Sequence, residues 1–266
     1  MPEGDTVWRV ARQLDDALAR RPLTRSDFRV PRFATTNLTG RQVHQALSRG
    51  KHLLIRVDGV ITIHTHLRMD GSWRIRPAGR YPPRDHRVRL VLENAEWQAL
   101  GYLLGVVELL PTAAEDRAVG HLGPDLLGAD WDPAEAVRRL RAAPDRPIGE
   151  ALLDQTNLAG IGNLYKAEVL FLRGISPWQT VSGAGDLEPV VELAKRLLEA
   201  NKDRAGQVTT GNLARGEETW VYGRAGRPCR RCGTGIAANG YAGRGTASQE
   251  RVTFWCPACQ PGPGRP

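Results

Sequence analysis

The amino-acid sequence predicts an α+β protein with more than one domain. Its 266 residues, 41% of them hydrophobic, are enough for about two compact cores. Short β-rich segments separated by turn residues fill positions 27–110, helical spacing of apolar residues fills 133–201, and all four cysteines follow residue 228. Because the strand pattern precedes the helical pattern instead of alternating with it, we expect the two to form separate domains.

The first domain is predicted over residues 1–118, beginning with a helix and continuing as strands. Asp5 or Thr6 can cap the helix, in which apolar residues recur at helical spacing through Leu18. β-Branched and aromatic segments bounded by turn residues predict strands at 26–33, 53–57, 59–66, 73–76, 87–93 and 96–104. Proline, glycine and charged residues over 119–131 indicate a linker.

The second domain is predicted over residues 132–218, with helices at 134–142, 148–154, 164–173 and 187–200. The stretch Gln-Thr-Asn-Leu-Ala-Gly-Ile-Gly that ends at Gly162 predicts a tight turn before the third helix. Asn163 then lies at a helix N-terminus, where backbone N–H groups can hold a phosphate and its side chain adds a donor. The alternative is an ordinary capped helical hairpin without a phosphate site. Taken alone, this motif favours that alternative.

The four cysteines predict a metal site in a β-hairpin over residues 219–260. They form two Cys-x-x-Cys pairs, Cys229 with Cys232 and Cys256 with Cys259. This spacing suits tetrahedral Zn²⁺, and since the first residues do not resemble a signal peptide, disulfides would lack an oxidising compartment. Four sulfur ligands leave no position for water, so one structural Zn²⁺ is predicted. Residues 261–266 are expected to form a disordered tail.

The charge of the chain favours a polyanionic partner. Its formal net charge is +8 and its pI is near 9.8, which suits nucleic acid without establishing it. Lysine occurs at only four positions, so Lys51 and Lys166 stand out among cations that are nearly all arginine. No apolar run approaches the roughly 20 residues of a membrane span, so we expect a cytoplasmic protein without a membrane partner.

Four sequence features occur together in one order. They are Pro2-Glu3-Gly4 at the N-terminus, Arg49-Gly50-Lys51 before an apolar segment, Gly160-Ile161-Gly162-Asn163, and the four-cysteine segment. Over residues 2–260 they resemble the Fpg/Nei family, the formamidopyrimidine-DNA glycosylases and endonucleases VIII. The resemblance implies an N-terminal β-sandwich flanked by helices and a C-terminal helix-two-turns-helix domain carrying the four-cysteine zinc β-hairpin. It also implies that DNA binds across the cleft between the two domains.

The same resemblance implies a bifunctional DNA glycosylase and abasic-site lyase of base excision repair. Once Met1 is removed, the secondary amine of Pro2 becomes the nucleophile and forms a Schiff base. Glu3 is the implied general acid, and Lys51 and Arg251 complete the catalytic set. The resulting iminium acidifies the sugar C2′ proton, so the strand is cleaved by β,δ-elimination.

The resemblance also assigns the contacts with DNA. Asn163 and Arg251 would hold the phosphates that flank a flipped nucleotide, and Lys51 would reach a phosphate or the sugar near the lesion. Met69 would fill the gap left in the base stack, with Arg68 as a helper. The alternative is that Met69 is simply a residue of the hydrophobic core. The expected partner is damaged double-stranded DNA, bound by a monomer that associates with the nucleoid of a bacterial-type cytoplasm.

Two features favour the endonuclease VIII branch of the family. Gly4-Asp5-Thr6 resembles that branch, and the segment 101–110 lacks the arginine that the purine-specific branch inserts opposite the lesion. Oxidised pyrimidines are therefore the expected lesions, and single-stranded or bubble DNA is a further candidate substrate. Two rival hypotheses are an abasic-site lyase with weak or no base excision, and a non-catalytic DNA-binding module.

Overall fold

The computed structural model describes residues 2–239 and 252–264, and the chain divides into two compact units. The first unit is Met1–His121 and the second is Leu122–Pro266. The division falls inside the predicted linker, but Leu126 from that segment is fully buried in the core of the second unit. Within the described ranges, no helix is long and apolar enough to cross a membrane.

The first unit contains two antiparallel sheets and a long helix. Its elements are α1 (Gly4–Leu18), β1 (Arg21–Pro22), β2 (Arg25–Phe28), β3 (Gln42–Arg49), β4 (His52–Val57), β5 (Ile61–His66), β6 (Ser72–Pro77), β7 (Val88–Glu93), β8 (Trp97–Tyr102), β9 (Val106–Pro111) and α2 (Asp116–Val119). The first sheet has the order β1-β3-β4-β5-β9 and the second the order β2-β7-β8-β6. Ile55 and Ile63 of the first sheet share one core with Leu90 and Leu92 of the second. The predicted β-sandwich is confirmed.

Helix α1 packs on this core through one face. Its buried apolar residues, from Val7 to Leu18, recur every three or four positions, which is the period of an α-helix. The predicted cap is wrong, because the N-cap residue is Glu3 and both Asp5 and Thr6 lie in the first turn. The helix therefore begins at the fourth residue of the chain.

The sequence pattern does not predict three strands of the first sheet, β1, β3 and β9, and it extends β2 of the second sheet beyond its observed end. In β3, a register shift between Val43 and Gln45 interrupts the alternation of buried and exposed residues. Strand β9 lies at the sheet edge and has no fully buried residue, so its apolar run carries no alternation. The strand predicted at 26–33 ends at Phe28, because Pro31 begins a 3-10 turn.

The second unit is helical and ends in a short hairpin. Its elements are α3 (Pro133–Arg141), α4 (Ile148–Leu153), α5 (Asn163–Arg173), α6 (Glu188–Asn201), β10 (Ala237–Asn239) and β11 (Thr253–Trp255). Asp132 caps α3 by accepting a hydrogen bond from the backbone N–H of Glu135, and Gly174 ends α5 at a φ of +71°. The helices share a core that includes the fully buried Tyr165 and Leu170. Strands β10 and β11 pair antiparallel, as the cysteine spacing predicts.

The turn before α5 is held by one of its own side chains. Gln155 donates from Nε2 to the carbonyls of Leu153 (2.9 Å) and Ile161 (3.0 Å), and its Oε1 accepts from the backbone N–H of Gly160 (3.1 Å). Gly160 has a φ of +103°, a conformation that glycine adopts without a side-chain clash. These bonds set the direction in which α5 begins.

A buried carboxylate ties α5 to the segment that follows α6. Glu168 is fully buried and accepts hydrogen bonds from the backbone N–H groups of Trp220 (2.8 Å), Val221 (2.9 Å) and Tyr222 (2.8 Å), and from the hydroxyl of Thr209. Four donors compensate the charge that burial removes from water. The segment from 209 to 222 is therefore held against α5.

We expect Glu168→Gln to lower the free energy of unfolding of the second unit by about 3 kcal/mol, because the new amide nitrogen would face backbone N–H donors. Urea unfolding followed by circular dichroism measures the change. Glu188→Gln, at an exposed position on α6, is the matched control and should change stability by less than about 0.5 kcal/mol. Equal effects of the two substitutions would contradict the anchoring role of Glu168.

Candidate active site

The N-terminus of the chain leads directly into α1. Pro2 is partly buried and Glu3 is fully buried, and the carbonyl of Glu3 accepts a hydrogen bond from the backbone N–H of Val7 at 3.0 Å. Asp5, in the first turn, is also buried. The positive end of the helix dipole favours the carboxylates of Glu3 and Asp5 here. Two buried acidic side chains thus lie within three residues of Pro2 at the start of α1.

Lys51 lies in the tight turn between β3 and β4. Arg49 and His52, which flank the turn, are paired residues of the two strands. Gly50 has a φ of +56°, in the left-handed region that favours glycine. The Arg49-Gly50-Lys51 motif is thus a turn that places a partly buried lysine at one end of the first sheet.

Histidines gather around the strand residue that follows Lys51. The ring of His52 stacks on that of His64 at a centroid distance of 5.1 Å and meets the rings of His66 (4.9 Å) and His121 (6.1 Å) edge-on. Burial, helped by the neighbouring histidines, lowers the pKa of His52 to about 3. Burial, helped by nearby cations, lowers the pKa of His66 to about 4. Both imidazoles are therefore neutral near pH 7.

A tight turn after β5 presents Met69 to solvent. Arg68 has a φ of +56°, and its backbone N–H donates to Nδ1 of His66 at 2.9 Å. Gly105 packs so closely on this turn that a Cβ there would lie 2.1 Å from Cγ of Arg68. The side chain of Met69 is 54% exposed, so its alternative as a core residue is wrong.

In the second unit, two side chains of α5 bind the segment that follows Arg251. Nδ2 of Asn163 donates to the carbonyl of Val252 at 2.8 Å, and Nζ of Lys166 donates to Oγ1 of Thr253 at 2.9 Å. Both side chains are buried, and Oδ1 of Asn163 has no hydrogen-bond partner among the described residues. Arg251 itself lies outside the described residues. The structure thus places Asn163 beside the chain neighbour of Arg251.

The four cysteines lie together. Their Sγ atoms are all within 4.8 Å of one another, with 3.9 Å between Cys229 and Cys259 and 3.5 Å between Cys232 and Cys256. These separations are far longer than a disulfide bond of about 2.05 Å, and all four are free thiols. The cluster can bind a metal ion. In the part of the chain that the structure describes, it is the only group of potential ligands with such spacing.

Sequence reasoning missed two polar residues, His64 and Glu108, that the first sheet connects to His52. His64 and Glu108 are paired across β5 and β9, with 3.0 Å between Nδ1 and Oε2. The alternation of His64 with His66 along one predicted strand could have revealed the first, because residues two apart share a face. Nothing local pointed to Glu108, since its strand is not predicted.

Comparisons with known proteins agree with this arrangement. Residues 1–101 match the model of the formamidopyrimidine-DNA glycosylase N-terminal domain, and residues 122–203 match the H2TH domain of formamidopyrimidine-DNA glycosylase. "Probable endonuclease 8 2" of Streptomyces coelicolor is 57% identical, over 99% of this chain and 95% of its own length. "DNA-(apurinic or apyrimidinic site) lyase Nei2" of Mycolicibacterium smegmatis is 49% identical, over 98% of this chain and 99% of its own.

A solved structure has the same fold. Formamidopyrimidine-DNA glycosylase of Lactococcus lactis, bound non-covalently to DNA that contains an AP site, superposes with a TM-score of 0.81 at 27% identity, covering 98% of this chain and 100% of that one. The names of the two curated relatives confirm the predicted endonuclease VIII branch. With both of its units matched and a near full-length relative at 57% identity, the chain belongs to the formamidopyrimidine-DNA glycosylase and endonuclease VIII family of DNA-repair enzymes.

Proposed function

We propose that this chain is a DNA glycosylase and abasic-site lyase that uses Pro2 as its nucleophile. One observation carries the proposal: in a member of this family, Pro2 directly precedes the buried Glu3 at the N-terminus of α1. An amine and a carboxyl group are thereby held together on a rigid element. Such placement is what nucleophilic and acid catalysis require.

The proposed reaction starts from the free α-amino group of Pro2. An α-amino group ionises near neutrality, so part of it is unprotonated at working pH. Met1 must be removed first, since it makes this nitrogen an amide. The nitrogen lone pair attacks C1′ of the sugar, the bond from C1′ to the base breaks, and the base leaves with the bonding electrons and takes up a proton. Opening of the sugar ring then gives an iminium.

Strand cleavage continues from this iminium. The cation draws electrons from C2′, so a proton is lost there, and the electron pair left behind expels the 3′ phosphate. Loss of a second proton, from C4′, leaves an electron pair that expels the 5′ phosphate, which completes β,δ-elimination. Water then hydrolyses the remaining iminium and releases the amine of Pro2.

Glu3 is the proposed general acid. Its carboxyl group is adjacent to Pro2 in the chain and is shielded from bulk water. It donates a proton to the ring oxygen of the sugar as the ring opens, and it accepts protons in the later steps. Burial suits this role, because a shielded carboxyl group exchanges its proton with the bound sugar rather than with solvent.

Each unit supplies proposed phosphate contacts. Lys51 offers an ammonium group from the β3–β4 turn, and Asn163 offers an amide donor from the N-terminus of α5. A carboxamide has two N–H donors, so the bond from Asn163 to Val252 leaves one for a phosphate. Arg251 would add a guanidinium group, next to the residue that Asn163 holds.

The proposed wedge is the turn after β5. The exposed Met69, with Arg68 beside it, would fill the space that an extruded nucleotide leaves in the stack. The β8–β9 connection is short and carries no arginine, which supports oxidised pyrimidines as the lesions. We propose damaged duplex DNA as the partner of a monomer at the nucleoid, with single-stranded or bubble DNA as further substrates.

The proposed metal at the four cysteines is one structural Zn²⁺. With Zn–S bonds of about 2.3 Å, a tetrahedron places its sulfurs about 3.8 Å apart, close to the separations of 3.5 and 3.9 Å measured here. Such a metal replaces the hydrophobic core that a small hairpin lacks. Arg230, between two of these cysteines, donates to the carbonyls of Thr219 (3.0 Å) and Gly216 (2.6 Å), so the metal site also supports that loop.

A second candidate function is an abasic-site lyase with weak base excision. The name of the Mycolicibacterium smegmatis relative, a DNA-(apurinic or apyrimidinic site) lyase, favours it. Elimination needs the amine and a proton acceptor, but not a pocket that recognises a base. A lesion-bearing duplex and an abasic duplex assayed side by side distinguish the two functions.

We expect borohydride to cross-link the processed wild type to abasic DNA, because reduction traps the iminium on Pro2. A form that retains Met1 is the matched control, since it has the same side chains but no amine at Pro2. Pro2→Thr should trap far less, and Pro2→Gly, which keeps a primary amine, should trap at an intermediate level. Denaturing electrophoresis measures the adduct. Equal trapping by the form with Met1 would contradict the amine mechanism.

We expect Glu3→Gln to lose base excision by at least about a hundredfold while DNA affinity stays within about twofold, because the amide cannot donate the proton. Single-turnover excision and equilibrium binding to an abasic-site analogue measure the two effects. The exposed Glu96→Gln is the matched control. A parallel loss of binding and excision in Glu3→Gln would rule out its role as acid.

We expect Cys256→Ser, or removal of the metal by a chelator, to weaken DNA binding by roughly tenfold or more, because structural zinc supplies folding energy. Elemental analysis should find one Zn²⁺ per wild-type chain. Adding Zn²⁺ back should restore binding to the chelated wild type but not to the variant. Full binding by a chain shown to contain no metal would refute the structural role.

A further inference from the structure

Three side chains form a hydrogen-bonded chain that ends next to Lys51. Oε2 of Glu108 lies 3.0 Å from Nδ1 of His64, and Nε2 of His64 lies 2.8 Å from Nδ1 of His52. These residues come from the three neighbouring strands β9, β5 and β4. His64 is buried and Glu108 is partly exposed. His52 follows Lys51 directly, so the chain ends at the residue that closes the β3–β4 turn.

The carboxylate sets the direction of every hydrogen bond in this chain. A carboxylate only accepts, so Nδ1 of His64 carries the hydrogen. Nε2 of His64 then has a lone pair and accepts from Nδ1 of His52. Nε2 of His52 in turn is left with a lone pair. With one hydrogen on each ring, His52 and His64 are both Nδ1–H tautomers, selected from the far end by Glu108.

The tautomer of the neighbouring His66 is set by a backbone donor. The backbone N–H of Arg68 can only donate, so Nδ1 of His66 accepts and its hydrogen lies on Nε2. His66 pairs with His52 across β5 and β4. Lys51, Arg68 and His121 are the other titratable groups around this pair. Burial lowers the pKa values of His52 and His66 well below 7, so both of these rings are neutral.

We propose that Glu108, His64 and His52 are positioning residues that fix the backbone at Lys51 for its contact with DNA; this rests on the proposed function of Lys51. The turn holds only Gly50 and Lys51 between the strand ends, and glycine allows wide backbone freedom. Anchoring the ring of His52 to the buried His64 removes that freedom. Because burial keeps the ring of His52 neutral, it adds no positive charge beside the ammonium group.

A purely structural role and a metal site are the competing explanations. Among the described residues, the four cysteines alone have the spacing of a metal site, and 2.8 Å between two nitrogens is a hydrogen-bond length. A structural network would stabilise the sheet without acting on DNA. The two roles therefore differ in whether these hydrogen bonds affect the contact that Lys51 makes with DNA.

The first measurement is the tautomer of each histidine, from long-range ¹H–¹⁵N spectra of the full-length protein. We expect Nδ1–H forms for His52 and His64 and an Nε2–H form for His66. Glu108→Gln keeps an accepting oxygen and should keep these forms. Glu108→Leu removes the acceptor and should convert His64 to its Nε2–H form, whereas the exposed Glu96→Leu should change nothing. Nε2–H forms of His52 and His64 in the wild type would overturn the assignment.

The second measurement is affinity for duplex DNA with a non-reactive abasic-site analogue. We expect Glu108→Leu to weaken binding roughly tenfold and Glu108→Gln by less than about twofold. In the Lys51→Ala background, Glu108→Leu should cause no further loss, because both changes remove the same contact. In the lyase assay, Glu108→Leu should raise KM more than it lowers kcat. Additive losses, or unchanged binding in Glu108→Leu, would overturn the positioning role.

The outcomes separate this inference from the function on which it rests. If Lys51→Ala binds DNA as well as wild type, the proposed role of Lys51 fails, whatever the tautomers are. If Lys51→Ala weakens binding and Glu108→Leu does not, only the positioning role fails. Thermal melting checks the fold of each variant. If Glu108→Leu is unfolded, His52→Leu replaces it in the same double-mutant test. His52 is only partly buried, so its substitution disturbs the fold less.

Discussion

The proposed catalysis depends on how α1 packs against the β-sandwich. A nucleophile that is the second residue of a chain is mobile by default, because a terminus has few contacts to offset its conformational entropy. Here the helix starts at Gly4, and its apolar face from Val7 to Leu18 is buried in the core of the first unit. That burial holds Pro2 and Glu3 in place, and accurate placement is a large part of what an enzyme contributes to such a reaction.

The same principle organises the second unit around α5. The turn at Gly160 sets where this helix begins, and Asn163 and Lys166 near its N-terminus bind the segment that follows Arg251. Further along, Glu168 holds the segment from 209 to 222. One helix thus carries a proposed phosphate contact and connects it to two distant parts of the chain. The small hairpin has little core of its own and relies on these contacts and on its cysteines.

The first sheet does more than support the fold. The β3–β4 turn carries Lys51, the end of β5 leads to the turn with Met69, and β9 supplies Glu108. Because β4, β5 and β9 are neighbours in the sheet, the side chains of His52, His64 and Glu108 lie in a row on one face. The rings of His52 and His64 connect the strand end beside Lys51 to the carboxylate.

The sequence by itself determined the features that are local in the chain. The N-terminal Pro2-Glu3 pair, the turn ending at Asn163 and the two Cys-x-x-Cys pairs each act through residues a few positions apart, so their spacing predicts their chemistry. Only the tertiary structure decided that Glu108 and His64 form a hydrogen-bonded row with His52, and that Met69 is exposed. Their positions depend on strand register and on which strands become neighbours, and burial of the whole sheet sets both.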